Sequence, residues 1–228
     1  MKVSTSKPPT SDELANKRFW MVESQLRARD ISDERVLAAF EKVPRHEFVD
    51  KEFFDVAYGD FPLPIGEDQT ISQPYIVALM TQALELKGQE VVLEVGTGSG
   101  YQAAILSLLC KNVYTIERIP QIVRRAKTVL AKLKYNNVEV IEGDGTLGYR
   151  SAAPYDRIIV TASSYKIPQP LADQLKDGGI MVIPIGNPWG QTLIKVRKRD
   201  GKLEHEDLCD CLFVPLVGKE GWEANKVL

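Results

Sequence analysis

Val91-Val92-Leu93-Glu94-Val95-Gly96-Thr97-Gly98-Ser99-Gly100-Tyr101-Gln102-Ala103-Ala104 is the stretch that decides the fold of this chain. A short apolar run ends at an acidic residue, three glycines follow at alternate positions, and a helical apolar pattern begins. This order predicts a buried parallel strand that turns sharply into a helix, with room for a ligand against the turn. Glycine has no Cβ, so the backbone can take positive φ and approach a ligand closely. The helix start presents free N–H groups. A dinucleotide fingerprint requires a glycine where this chain has Tyr101. A P-loop requires Gly-Lys-Ser/Thr, and no lysine is present. A hydrolase elbow requires a serine at the centre of the glycines, where Gly98 stands. Glu94 at the strand tip repels a pyrophosphate but attracts an ammonium or a sulfonium. S-adenosyl-L-methionine carries both cations and no phosphate. The plainer reading makes the glycines a tight turn and Glu94 a helix cap, and the glycine pattern alone does not separate the two.

Composition excludes several classes. Hydrophobic content of 44% and charged content of 26% over 228 residues are ordinary for a globular chain. A net charge of −2 gives no basic field for nucleic acid. No apolar run reaches the ~20 residues that span a bilayer, and the polar start from Met1 to Thr10 lacks the apolar core of a signal peptide. The cytoplasm is the expected compartment, with no membrane partner. Cys110, Cys209 and Cys211 form a sparse, odd set that reads as reduced thiols. With only His46 and His205 besides, no metal-ligand cluster is predicted.

Outward from the glycine stretch, strand and helix alternate. Strands are expected at Val91–Val95, Val113–Glu117, Val138–Glu142, Tyr155–Thr161 and Ile180–Ile185. Helices are expected at Tyr101–Leu109, Ile119–Leu133 and Pro168–Leu175, the last stopped by Gly178-Gly179. The alternation predicts a doubly wound, mostly parallel α/β sheet of the Rossmann-like type, with its ligand site at the carboxyl ends of the strands. Gln191–Arg199 and Leu208–Val217, around the turn signal Asp200-Gly201, read as an antiparallel edge.

On the amino-terminal side, residues from Thr10 to about Val43 read as two helices. Thr10 and Glu13 have capping-box spacing, and Phe19, Trp20, Val22 and Leu26 form an apolar face. Phe61–Gln73 reads as a loop, and Tyr75–Leu86 as a helix with Pro74 in its first turn and Ser72 or Gln73 at its cap. The organisation expected is one domain over 1–228: helices and an active-site loop over 1–89, an α/β core over 90–217, and a loose tail over 218–228.

Three further strand ends fit one adenosyl ligand. Glu117 ends the second strand and is placed to accept hydrogen bonds from ribose hydroxyls, although it also suits a helix N-terminus. Asp144-Gly145 follows the third strand, where the carboxylate would take the adenine amino group or make a turn. Thr161 ends the fourth strand, where the reactive end of a methyl donor would lie. Their joint occurrence favours an adenosylmethionine site.

The chain also closely resembles the protein-L-isoaspartate (D-aspartate) O-methyltransferases. The matching stretches are Val43-Pro44-Arg45, Leu63-Pro64-Ile65-Gly66, Gln69 to Tyr75, the glycine loop with Tyr101-Gln102, Glu117-Arg118, Gly143-Asp144-Gly145 and Phe213-Val214-Pro215-Leu216. The resemblance spans about Asn16 to Val217, and Thr70-Ile71-Ser72-Gln73-Pro74 is more family-specific than the glycine loop. It implies methylation of the free α-carboxyl of L-isoaspartyl residues, and by extension D-aspartyl residues, in damaged proteins and peptides. The ester then closes to a succinimide. The donor would be S-adenosyl-L-methionine, leaving S-adenosyl-L-homocysteine, with no metal.

Site residues follow from the same resemblance. Ser72 matches the active-site serine. Glu94, Gly96, Thr97, Gly98, Ser99, Gly100, Glu117, Arg118, Asp144, Gly145 and Thr161 would hold the cofactor. Thr70, Ile71, Ser72, Val214, Pro215 and Leu216 would meet the substrate. From spacing alone Ser72 is a helix cap; the resemblance reverses that order. The competing readings are a methyltransferase of this fold acting on a small molecule or nucleic acid, and a nucleotide-binding module without catalysis.

Overall fold

The structure, a computed structural model, describes residues 9–187 and 189–223. Helix α1 (Ser11–Trp20) starts at the predicted capping box: Thr10 Oγ1 accepts from the Glu13 N–H at 3.3 Å, and Glu13 Oε2 accepts from the Thr10 N–H at 2.7 Å. It continues into a π-helical segment, Met21–Arg27. The wider turn rotates the apolar stripe, burying Met21, Val22 and Leu26 but leaving Phe19 50% and Trp20 63% exposed. The face predicted from Phe19 to Leu26 is therefore only half correct. Helix α2 (Glu34–Lys42), capped by Asp33, buries Val36, Leu37 and Phe40.

Within the stretch expected to be loop, strands β1 (Leu63–Gly66) and β2 (Gln69–Ile71) form an antiparallel hairpin. Its two-residue turn places Glu67 at φ 53° and Asp68 at φ 54°, the left-handed pair that suits strand twist. Pro62 and Pro64 mask the strand signal, but a two-stranded ribbon tolerates proline because both strands are edges. Helix α3 (Pro74–Ala83) follows.

The main sheet is built from β3 (Val91–Val95), β4 (Asn112–Glu117), β5 (Val138–Glu142), β6 (Tyr155–Val160), β7 (Leu175–Asn187), β8 (Gly190–Arg199) and β9 (Lys202–Cys211). Helices α4 (Tyr101–Ser107), α5 (Pro120–Lys132) and α6 (Gln169–Gln174) lie between them in sequence. The spatial order is β5-β4-β3-β6-β7-β8-β9. Pairing is parallel from β5 to β7 and antiparallel from β7 to β9. The chain winds outward from β3 to β5 and then returns to β6, so the switch point lies between the carboxyl ends of β3 and β6, where open α/β sheets bind ligands. Buried apolar residues cover both faces. Leu37, Phe40, Met80 and Tyr101 lie in one cluster, and Leu93, Val95, Ile158 and Leu171 in the other.

Two predicted strands shift. Gly178-Gly179 lies inside β7, which begins at Leu175 and bulges against β6 between the Tyr155 and Arg157 pairings. Strand β9 runs over Lys202–Cys211 instead of Leu208–Val217. Its first half, with Glu204, His205, Glu206 and Asp207, is exposed and charged, as an edge strand that resists further pairing should be.

Residues 212–217 leave the sheet and cross the strand tips. Ser163 pairs with Pro215, and the Leu216 N–H donates to the Ser163 carbonyl at 2.7 Å. The segment read as a loose tail is also tied down. The Lys219 N–H donates to Asp144 Oδ2 at 2.8 Å, Trp222 Nε1 donates to the Ser163 carbonyl at 3.0 Å, and the Trp222 ring meets Tyr165 edge-on at 5.4 Å. The rest of that predicted tail, 224–228, lies outside the described residues.

Candidate active site

The carboxyl ends of β3, β4 and β6, the β1–β2 hairpin and the crossing segment 214–217 enclose a cavity of about 410 Å³. The glycine loop forms its floor. Gly96, Gly98 and Gly100 take φ of 97°, 50° and 88°. A Cβ on Gly96 would stand 2.3 Å from Thr161 Oγ1, which itself donates to the Gly96 carbonyl at 2.6 Å. Only glycine allows both that φ and that contact between the tips of β3 and β6. Gly100 lies behind the wall, against Leu130 of α5.

Glu94 is the chemical centre of the cavity wall. It is fully buried, and among the described residues neither carboxyl oxygen has a hydrogen-bond partner. Burial pushes its pKa up to about 8; Thr115 nearby opposes the shift and Glu117 adds to it. It does not cap α4, whose N-cap position is Gly100. Beside it, buried Gln102 donates through Nε2 to Thr81 Oγ1 at 3.0 Å and leaves Oε1 unpartnered among the described residues. Two buried acceptors without donors in one cavity wall are costly unless a cationic donor enters.

Glu117 has two tasks. Oε1 accepts from the Arg118 and Ile119 N–H groups at 2.8 and 3.0 Å, and Oε2 accepts from the Gly98 N–H at 3.1 Å. It clamps the glycine loop to the start of α5, and a carboxylate with about four acceptor positions retains one for a ligand. Glu117→Ala is therefore expected to weaken cofactor binding ten- to hundred-fold, about 1.5–3 kcal/mol, and also to lower the melting temperature. Calorimetry and thermal melts on one preparation check both effects; unchanged affinity removes Glu117 from the site.

The other predicted residues divide. Thr97, Ser99, Arg118, Gly145 and Thr161 line the cavity, as do Thr70, Ile71, Ser72, Val214, Pro215 and Leu216. Thr97 Oγ1 shares a 2.7 Å hydrogen bond with Thr115 Oγ1, and Ser99 Oγ accepts from the Tyr101 N–H at 3.2 Å, so both hydroxyls hold the loop. Asp144 is not brought into this wall. Its Oδ1 accepts from Thr146 N and Oγ1 at 2.9 and 2.6 Å, and its Oδ2 holds Lys219. Gln102, Tyr101 and Ile119 line the cavity but were absent from the sequence-based site. A glutamine on the otherwise apolar first turn of α4 was the available signal for one of them.

Ser72 follows β2 and is half-buried. Helix α3 has Gln73 at its N-cap without a side-chain cap bond; Asp60 Oδ1 instead accepts from the Tyr75 N–H at 3.3 Å. The Ser72 hydroxyl is thus not spent on the helix. Its carbonyl is held from behind by Arg45, whose fully buried guanidinium donates through Nη2 to Ser72 O and through Nε to Ala57 O, each at 2.8 Å, and lies 4.9 Å from the Tyr101 ring centroid. A second, wider groove of about 1180 Å³ adjoins the first cavity, and both are lined by Thr70, Ser72, Thr161, Val214 and Pro215.

Residues 16–221 match the family model described as protein-L-isoaspartate(D-aspartate) O-methyltransferase. The chain belongs to this family. A protein-L-isoaspartate O-methyltransferase of Methanoculleus marisnigri is 54% identical over 94% of this chain and 98% of its own length. One from Dictyoglomus turgidum is 58% identical over 87% of this chain and 90% of its own. A solved protein-L-isoaspartate O-methyltransferase superposes with a TM-score of 0.82 at 30% identity, over 91% of this chain and 67% of that one. A Plasmodium falciparum structure described as a protein of this family, in complex with S-adenosyl-L-homocysteine, shares the fold (TM-score 0.77, 24% identity, 88% of this chain and 98% of that one).

As a protein-L-isoaspartate O-methyltransferase, this chain uses S-adenosyl-L-methionine. Its own residues fit that cofactor: the orphaned Glu94 carboxyl and Gln102 Oε1 suit the cationic end, and Glu117 suits the ribose. Among the described residues no group of three or more His, Cys, Asp or Glu is arranged to hold a metal, and no helix is long and apolar enough to cross a membrane.

Proposed function

We propose that this chain transfers a methyl group from S-adenosyl-L-methionine to the free α-carboxyl of L-isoaspartyl residues, with D-aspartyl residues as a second substrate, in proteins and peptides. The observation that carries this reading is the shared wall. A cavity suited to a cationic donor and a wider groove suited to a polymer meet at Thr70, Ser72, Thr161, Val214 and Pro215. A macromolecular nucleophile in the groove would reach a donor in the cavity through such a junction.

The chemistry needs little beyond placement. The cofactor supplies an electrophilic methyl on a sulfonium. The substrate carboxylate is already ionised, so no general base is required, and the protein aligns and desolvates the two partners. The Ser72 hydroxyl, with no hydrogen-bond partner among the described residues, donates to the substrate carboxylate, and Thr70 stands next to it. Val214, Pro215 and Leu216 roof the junction and exclude water. The following backbone nitrogen then attacks the carbonyl carbon of the methyl ester, and the ring closes to the succinimide as methanol leaves. Among the described residues the groove is lined by Asp210 and by no Lys or Arg, which favours a peptide over a nucleic-acid substrate. The three cysteines are free thiols, in keeping with a cytoplasmic enzyme.

The decisive experiment is methyl transfer to an isoaspartyl peptide beside the same sequence with normal aspartate. Labelling of the isoaspartyl peptide alone is the expected result, and equal labelling or none overturns the reading.

A further inference from the structure

Trp189 and Leu212 are the two most exposed large hydrophobic residues among those described, at 92% and 75%, and both line the open groove that Ser72 also lines. The next most exposed, Trp20 at 63%, belongs to α1 and lines neither hollow. Exposed apolar side chains gathered at one site mark an interaction surface.

Hydrogen bonds tie the backbone at or next to each. At the turn between β7 and β8, Asn187 pairs with Gly190, and Asn187 Oδ1 accepts from the Trp189 and Gly190 N–H groups at 2.8 and 3.2 Å. Leu212 is held through its neighbour: Gln191 Oε1 accepts from the Phe213 N–H at 2.6 Å, and Gln191 Nε2 donates to the Phe213 carbonyl at 3.1 Å. Because Gln191 is also the register partner of Cys211, the β7–β8 turn and Leu212 project from the same end of the sheet. The groove volume, about 1180 Å³, exceeds what a drug-sized ligand fills. An isoaspartyl side chain alone leaves most of it empty.

We propose that Trp189 and Leu212 form an apolar clamp for a hydrophobic side chain flanking the isoaspartyl residue, so that the enzyme ranks damaged sites by their neighbours. The occupant is the substrate peptide itself, because the groove is continuous with the methyl-transfer junction at Ser72, Val214 and Pro215. This inference rests on the activity proposed above. A rigid aromatic beside a branched aliphatic gives contact area at low entropy cost, and such anchors dominate recognition.

The test is a set of isoaspartyl peptides in which each of the two positions on either side of the isoaspartate is in turn Phe, Leu, Ser or Gly, assayed with wild type, Trp189→Ala, Trp189→Phe and Leu212→Ser. At one of these positions the wild type should favour Phe or Leu over Gly roughly ten-fold in kcat/KM. Trp189→Ala and Leu212→Ser should reduce that ratio towards one through KM, and Trp189→Phe should retain most of it. Cofactor affinity, measured calorimetrically, should stay at the wild-type value in all three, which controls for folding. A wild type without flanking preference, or a preference that survives in Trp189→Ala, overturns the clamp. So does a self-association that Trp189→Ala abolishes while the preference persists, since the patch is then a contact between copies. Failure to methylate any isoaspartyl peptide strikes instead at the proposed activity.

Discussion

Glu94→Gln is expected to weaken S-adenosyl-L-methionine binding by about 3–5 kcal/mol, roughly two to three and a half orders of magnitude. The free protein should remain folded. The loss is large because Glu94 is wholly buried in the cavity wall and neither of its carboxyl oxygens has a partner among the described residues. Once a cation sits against it the pair is desolvated, and glutamine removes the charge while keeping the shape. Isothermal calorimetry checks the affinity. A Glu94→Gln protein that binds like wild type would mean that the ammonium is held elsewhere, with Gln102 Oε1 the nearest alternative.

The same residue gives the free enzyme a pH signature of definite sign. Its pKa is raised by burial from the ordinary 4.5 to about 8. Below about 4.5 the group is protonated in both folded and unfolded chains. Between 4.5 and about 8 the unfolded chain ionises while the folded one keeps its proton, so stability falls as pH rises through that window and levels off above it. Glu94→Gln should flatten this part of the profile and melt at least as high as wild type at pH 8. Binding a cation favours the carboxylate, so binding at pH 7 should release a proton, visible as a dependence of the calorimetric heat on buffer ionisation enthalpy. A site residue that costs the empty protein stability and repays it on binding is a usual exchange of stability for function.

The parallel core was legible because its strands are buried on both faces. Val91–Leu93 and Ile158–Val160 are continuous apolar runs, and the first is followed by the acidic and glycine punctuation of a ligand site. The hairpin at Leu63–Ile71 was not, because Pro64 and Gly66 read as breakers, and the positive φ of Glu67 and Asp68 has no sequence signal as strong as Asn-Gly. Strand β9 was displaced in the reading because its edge is protected by charge, which looks like loop. Glu94 and Glu117 are singled out by their positions at strand ends, and both line the cavity. The further duty of Glu117, holding Gly98 and the start of α5, depends on backbone N–H directions that sequence does not reveal. Asp144 illustrates the converse: its place after β5 suggested adenine, but its partners are Thr146 and Lys219, the latter 75 residues away. Arg45 lay inside a stretch matched by resemblance, and its grip on Ser72 emerges only when residues 27 apart meet.

Ser72→Ala should slow methyl transfer by about 2–4 kcal/mol, roughly thirty- to a thousand-fold in kcat, with little change in cofactor affinity or melting temperature. The kinetic loss follows if the hydroxyl aligns the substrate carboxylate, because a misplaced nucleophile forfeits the orientation that makes the displacement fast. Stability is spared for a reason visible at the start of α3. The cap there is Gln73 without a side-chain bond, and Asp60 satisfies the Tyr75 N–H, so removing the Ser72 hydroxyl breaks no cap. A true capping serine would instead cost ~1 kcal/mol of stability and leave turnover per folded molecule intact. The backbone at Ser72 should also stay in place, since Arg45 grips its carbonyl and not its side chain. Transfer kinetics with saturating cofactor, calorimetry and thermal melts on the same preparation separate the outcomes. If turnover is normal and the melting temperature falls, Ser72 is structural, and the carboxylate must be held by Thr70 and by backbone N–H groups of the segment leading into α3.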